Sequence, residues 1–173
     1  NAFSDELCDR LISKFESTEL KERERHDMGE MHFSQVNFRV CGWKQEQDEL
    51  VNIFLSHTKK YTNDLNITTE FPPKYALEDI RLKKYLADGY DQFGSHVDVY
   101  DKSTSTRFLV FFVYLDDNIG GGTHFDRINL TSPCKKGSML IFPPLWTHKH
   151  SGLKPIDKPK YIVGSYLHYV AHD

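Results

Sequence analysis

The spacing of apolar residues changes once along the chain, near its middle. Up to Pro72 they recur every three or four positions, which is the spacing of one helix face. Leu7, Leu11, Ile12 and Phe15 form such a stripe. It follows Ser4, Asp5 and Glu6, a capping residue with acids in the first turn, so a helix is predicted to start there. Gln45 to Leu65 carries a second stripe through Leu50, Ile53, Phe54, His57, Tyr61 and Leu65. His57 on that face reads as a packed or hydrogen-bonded histidine. Between the stripes, residues 19–31 are densely charged and read as a solvated loop or a frayed helix end. Val36 to Val40 alternates as a short strand, and Pro72-Pro73 closes the helical part.

From Glu78 onward the period falls to two. Ile80, Leu82 and Lys84 alternate with Arg81, Lys83 and Tyr85, the pattern of a strand. Asp88-Gly89 signals a turn. Phe93 to Tyr100 reads as the next strand and Asp101 to Thr106 as a polar loop. Arg107 to Leu115 is almost wholly apolar, as in a strand buried on both faces. Asp116 to Gly122 reads as a turn ending in three glycines, and Ser138 to Phe142 and Tyr161 to Val170 as further strands. About seven strands without intervening helices predict an all-β sandwich or barrel over 73–173. Residues 1–72 then serve as a helical support, and 1–173 forms a single domain.

Composition narrows the function. The 173 residues suffice for one compact domain with a sizeable core. The 12 Phe, 9 Tyr and 2 Trp suit a β-rich interior. A net charge of -3 provides no general field for nucleic acid or an anionic membrane, so neither is expected as a partner. No apolar run approaches the ~18 residues of a membrane-spanning helix. Cys8, Cys41 and Cys134 are odd in number and far apart, which argues against a disulfide framework and for a reducing compartment. With no signal-peptide pattern at Asn1, a cytoplasmic location is expected.

The candidate chemistry begins at His96-Val97-Asp98. On a strand, residues two apart share a face, so an imidazole and a carboxylate would point to one place. These are two of the three protein ligands of a 2-His-1-carboxylate site, which holds non-haem Fe(II) and leaves coordination positions open. The third ligand must come from another strand. His148 and His150 would share a face on a regular strand, so spacing does not choose between them, and His124 in Gly-Gly-Gly-Thr-His-Phe is a further option. Lys160 heads a β-branched, aromatic strand, where a cation can anchor the far carboxylate of a 2-oxo acid chelated at the metal.

These pieces occur in an order that resembles the catalytic domain of prolyl 4-hydroxylases, within the 2-oxoglutarate and Fe(II)-dependent dioxygenases. Arg81-Leu-Lys-Lys-Tyr85 with Asp88-Gly89 is similar to the opening strand of that family. Phe93-Gly-Ser-His96-Val-Asp98 resembles its His-x-Asp strand, and Arg107 to Asp117 its Arg strand. Gly120-Gly-Gly-Thr123-His-Phe125 and Lys136-Gly137-Ser-Met-Leu-Ile-Phe142 resemble two further motifs. His150 precedes Lys160 by ten positions, the interval the family keeps between its distal His ligand and its 2-oxoglutarate lysine; the resemblance therefore selects His150 over His148. Gly122, Val110 and Tyr166 depart from the usual Glu, Thr and Trp.

The resemblance implies a mainly β fold, a double-stranded β-helix or jelly roll with the N-terminal helices packed on one sheet. It implies an oxidoreductase in which His96, Asp98 and His150 hold iron, Lys160 and Tyr85 bind 2-oxoglutarate, and Arg107, Thr123 and Trp146 line the site or receive substrate. Fe(II), 2-oxoglutarate and O2 would be required, with ascorbate as a further small-molecule partner. The substrate would be a proline in a peptide or protein, hydroxylated with release of succinate and CO2. Residues 20–32 and 99–106 would grip an extended peptide. Competing readings keep the iron and act on another side chain or a free amino acid, or drop catalysis for a jelly-roll binding module. A nucleic-acid dealkylase is disfavoured by the acidic balance and the absence of a basic, aromatic-lined stripe.

Overall fold

The structure, a computed structural model, describes residues 1–171. Two helices lead: α1 (Asp5–Ser17) and α2 (Lys44–Asp64). The Ser4 side chain accepts from the Leu7 amide and caps α1, as its sequence predicts. Eleven strands follow the helices or lie between them: β1 (Glu24–Met28), β2 (Met31–Asn37), β3 (Tyr75–Leu77), β4 (Arg81–Tyr85), β5 (Gln92–His96), β6 (Arg107–Tyr114), β7 (Asn118–Phe125), β8 (Leu130–Cys134), β9 (Met139–Phe142), β10 (His150–Gly152) and β11 (Lys160–Tyr169). All pair antiparallel along one path, β8-β7-β10-β5-β2-β4-β11-β6-β9, with β1 beside β2 and β3 beside β11. The sheet curls into the jelly roll that the sequence predicts.

Two apolar regions hold this shape. The larger joins the helices to one leaf of the sheet. Leu7, Leu11 and Phe15 of α1 and Leu50 and Phe54 of α2 pack on Val36, Leu82, Phe111 and Val163. The Phe54 and Phe111 rings lie 4.4 Å apart. The smaller lies between the leaves, where Val110, Phe125 and Phe142 meet. The Phe125 ring meets that of Phe142 edge-on at 4.9 Å, closing the leaves behind the His cluster described below.

Four expectations need correction. Residues 1–72 are not helical throughout, because 24–37 form the β1–β2 hairpin. Strand β1 is charged and largely exposed because it is an edge, where charge prevents further pairing; that is why it reads as solvated. Strand β2 instead lies inside the sheet, bonded to β4 and β5. The three glycines are not a turn but lie within β7. A Cβ on Gly122 would sit 2.2 Å from the Ser132 carbonyl oxygen, so glycine is needed there for close backbone approach. Strand β5 stops at His96, short of Asp98, since its last ladder partner is His150. Finally, β8 lacks any sequence signal: it carries Pro133 and forms the far edge of the sheet. Among the described residues no helix is long and apolar enough to cross a membrane.

Candidate active site and metal centre

His96 and His150 face each other across the β5–β10 ladder, as paired residues of adjacent strands. Their ring centroids are 4.4 Å apart. Asp98 arrives by a different device. Past the end of β5 its amide and that of Val99 both donate to the Pro144 carbonyl at 3.2 Å, which turns the chain back and aims the carboxylate at the two rings. His96 Nε2 lies 3.6 Å from Asp98 Oδ1, and His150 Nε2 lies 3.8 Å from Asp98 Oδ2.

The hydrogen bonds around the three fix their chemical form. His96 Nδ1 lies 2.8 Å from the Gly94 carbonyl and His150 Nδ1 lies 2.9 Å from the His148 carbonyl. A carbonyl only accepts, so each Nδ1 carries the hydrogen and each Nε2 presents its lone pair to the centre. Tyr166 donates to Asp98 Oδ1 at 2.6 Å. Asp98 Oδ2 is buried with no hydrogen-bond partner. Burial pushes the Asp98 carboxyl up, but the two imidazoles in their protonated form and the Tyr166 hydroxyl outweigh it and hold the group below its usual range. Burial lowers the His150 pKa against the pull of Asp98, which favours the neutral ring. One ligand atom from each of His96, Asp98 and His150 lies within 4.8 Å of the others, and an orphaned carboxylate oxygen among inward lone pairs fits a divalent cation.

Two cavities meet at this cluster. The inner one runs past Val110, Tyr114 and Thr123 to Tyr85 and Lys160. Lys160 stands opposite Tyr85 on adjoining strands, with its ammonium 4.4 Å above that ring and donating to the Leu153 carbonyl at 2.7 Å. It is only 3% exposed, and burial pushes its pKa down to about 8. No carboxylate holds it among the described residues, so an anion entering the cavity would find an unneutralised cation. Gly121 makes room for it, since a Cβ there would sit 3.0 Å from Lys160 Cδ. Thr123 shares a hydrogen bond with the buried Tyr114 hydroxyl at 2.7 Å.

The outer cavity encloses about 330 Å³ and opens to solvent. His26 and Met31 of the hairpin and Tyr100 of the loop after Asp98 stand on its wall. Arg107 lines it too, but its guanidinium is committed: it grips Glu78 at 2.8 and 2.9 Å, donates to the Asp98 carbonyl at 3.3 Å and stacks on Tyr166 at 4.0 Å.

Of the other residues considered from sequence, Trp146 lies on a short 3-10 turn, 69% exposed and outside both cavities. His124 pairs with Thr131 across β7 and β8, and His148 sits on the same turn as Trp146. Val110 and Tyr166 line both cavities. Sequence reasoning passed over Lys83, Glu78 and the Tyr166–Asp98 bond. For Lys83 the signal was present: it shares the strand face of Tyr85, two residues on.

The fold finds counterparts among known proteins. A viral collagen prolyl hydroxylase from Paramecium Bursaria Chlorella virus-1, solved as a 2OG complex, superposes with a TM-score of 0.69 at 21% identity, over 98% of this chain and 93% of that one. A Pseudomonas putida prolyl-4-hydroxylase gives 0.66 at 12% identity, over 98% and 89%. A Trichoplax adhaerens prolyl hydroxylase, solved with a hypoxia inducible factor oxygen degradation domain peptide fragment, gives 0.68 at 13%, over 94% and 76%. No curated protein matches in sequence. The model of the 2OG-Fe(II) oxygenase superfamily matches residues 80–168, the stretch that contains the His-Asp-His cluster, Lys83 and Lys160. On that match the chain belongs to the 2OG-Fe(II) oxygenase superfamily, and it is an Fe(II)- and 2-oxoglutarate-dependent dioxygenase.

Proposed function

We propose that this dioxygenase hydroxylates a prolyl residue within a peptide, with His96, Asp98 and His150 holding the iron and Lys160 and Tyr85 holding 2-oxoglutarate. The reading rests on one observation: two cavities meet at His96 and Asp98, one running past His150 to a buried lysine and the other open to solvent. The similarity to prolyl hydroxylases, one of them solved with a peptide, supports the peptide side of the reading. Bound together, Fe(II) and 2-oxoglutarate supply oxygen activation, with one oxygen atom going to the substrate and succinate and CO2 as coproducts.

The residues of the chain do the remaining work. His96 and His150 present their Nε2 lone pairs because backbone carbonyls hold the other nitrogen. Tyr166 and the Pro144 carbonyl keep Asp98 aimed inward. Lys160 receives the distal carboxylate of 2-oxoglutarate, with the Tyr85 ring beneath its ammonium and Thr123 on the cavity wall. Phe93, Phe112, Val110 and Ile162 keep the centre dry, which strengthens each of these charge contacts. The substrate enters by the outer cavity, between the hairpin wall at His26 and Met31 and the loop at Tyr100. Residues 1–173 act as one catalytic unit, since β2 forms part of the same sheet.

The test supplies Fe(II), 2-oxoglutarate and O2 with a panel of proline-containing peptides, and reads succinate and peptide mass together. Succinate formation coupled to the gain of one oxygen on proline is expected. Succinate without any oxidised proline peptide would refute the substrate reading and leave the dioxygenase assignment standing.

A further inference from the structure

Lys83 is a cation that the protein leaves unanswered. It lies on β4, opposite Gln35 of β2 on one side and Ile162 of β11 on the other, and reaches the wall common to both cavities. Its ammonium sits 4.8 Å from the Phe33 ring centroid and 5.0 Å from that of Phe93. Phe93 in turn stacks flat on His96 at 3.7 Å, so one aromatic ring separates the amine from the metal cluster. The neighbouring cations are all engaged: Arg81 and Arg107 hold Glu78, and Lys160 donates to Leu153. Among the described residues Lys83 Nζ has no hydrogen-bond or ion-pair partner.

An ammonium carries three donors, and ring faces satisfy none of them with a lone pair. The two phenylalanines hold the charge in place and leave its N–H groups for a ligand. Burial lowers its pKa to about 8, so it is still largely charged at neutral pH. The nearby carboxylates cannot answer it. Glu78 is saturated by Arg81, Arg107 and His168, and Asp98 faces the metal position. The inner cavity already has Lys160 for the far carboxylate of the cosubstrate. What remains for Lys83 is an anion arriving through the outer cavity.

We infer that Lys83 selects substrates that carry a carboxylate beside the carbon to be oxidised. The inference rests on the reading that the outer cavity is the substrate side of the iron site. Under the prolyl reading, the carboxylate is either the chain terminus of a C-terminal proline or the side chain of an adjacent acidic residue.

Matched ligand pairs separate these sources. The protein is loaded with Mn(II) and 2-oxoglutarate, which permits binding without turnover, and titrated calorimetrically. The pairs are N-acetyl-proline and its amide, N-acetyl-alanine and its amide, and blocked Glu-Pro and Gln-Pro peptides. The acid of at least one pair is expected to bind roughly ten- to a hundredfold more tightly than its neutral partner, as for a hydrogen-bonded charge pair out of bulk water. Lys83→Met should abolish that preference and Lys83→Arg should retain part of it. 2-Oxoglutarate affinity should change far less than the acid preference in both. Preference for the first pair assigns a terminal carboxylate, and preference for the third assigns a side chain. If only the alanine pair discriminates, the carboxylate inference stands and the prolyl reading falls. Equal binding, or none, within every pair for the unmutated protein overturns the inference, whether or not Lys83→Met folds. So does a Lys83→Met variant that loses 2-oxoglutarate and keeps the acid preference.

Discussion

The Tyr166 hydroxyl donates to Asp98 Oδ1 at 2.6 Å, while Asp98 Oδ2 is left without a partner. One oxygen is thus held by the protein, and the other is free for the metal that Asp98 is proposed to bind. Partners of this kind orient a ligand and commonly contribute ten- to a hundredfold to metal affinity. Tyr166→Phe should therefore weaken Mn(II) or Fe(II) binding by roughly that factor and leave the fold intact. Metal titration followed by magnetic resonance checks it, and unchanged affinity would remove Tyr166 from this role.

The assignment of the third ligand has a direct optical test. Anaerobic addition of Fe(II) and then 2-oxoglutarate should produce a visible metal-to-ligand charge-transfer band. His96→Ala and His150→Ala should each lose it. His148→Ala should keep it, because the His148 ring lies off the cluster and contributes only its backbone carbonyl, which any residue supplies. Loss of the band with His148→Ala alone would reassign the ligand.

With Lys160 as the proposed anchor of 2-oxoglutarate, its pKa would give cosubstrate binding a pH dependence with a definite sign. Burial holds this amine at about 8 in the empty site, and only its protonated form attracts a carboxylate. Affinity is then full below pH 8 and falls as pH rises through that value, approaching tenfold per unit. Lys160→Met should flatten the profile and raise the Kd for 2-oxoglutarate by roughly tenfold or more. Equilibrium binding from pH 6.5 to 9.5 decides it.

Under the proposed role of Lys160, a substitution at Gly121 would act on the cosubstrate from a distance. A Cβ there would meet Asn118 Oδ1 at 2.6 Å and Lys160 Cδ at 3.0 Å. Gly121→Ala should lower stability by roughly 1–3 kcal/mol and weaken 2-oxoglutarate binding without altering metal affinity. Denaturant unfolding and cosubstrate titration, run side by side, read both effects.

Phe111 supplies the matching test of the scaffold. Its ring is buried and packs on Phe54 of α2. Phe111→Ala should cost roughly 3–5 kcal/mol in chemical denaturation. A much smaller loss would mean that the helices add little to the sheet.

The parts legible in the sequence are those whose signal is local. Ser4 capping α1 and the apolar run of β6 both follow from periodicity and side-chain chemistry. His96-Val-Asp98 pointed to a metal through an argument that required a regular strand. The strand in fact ends at His96, and the Pro144 carbonyl, distant in sequence, brings Asp98 into place. The parts that were not legible depend on partners. Strand β1 looks like a loop because an edge must be charged, and the glycines of β7 look like a turn because only the neighbouring backbone shows why a side chain is excluded. Lys83 lay in plain view on the face of Tyr85. Its significance appears only once β2 and β11 flank it and nothing on them answers its charge.

The insertion of β2 between β4 and β5 has a consequence for how the molecule assembles. Apart from the local partner β1, residues 31–37 must wait for 81–96, and His96 for His150, before their neighbours exist. Such long-range pairing is slow to form, because loops must close before contacts repay them. The iron position is therefore among the last features to appear, and a sheet paired one residue out of register would turn a ligand away from it. Metal uptake during refolding should lag behind helix formation and report the closing of the sheet, so that the ion acts as a clasp on the finished topology.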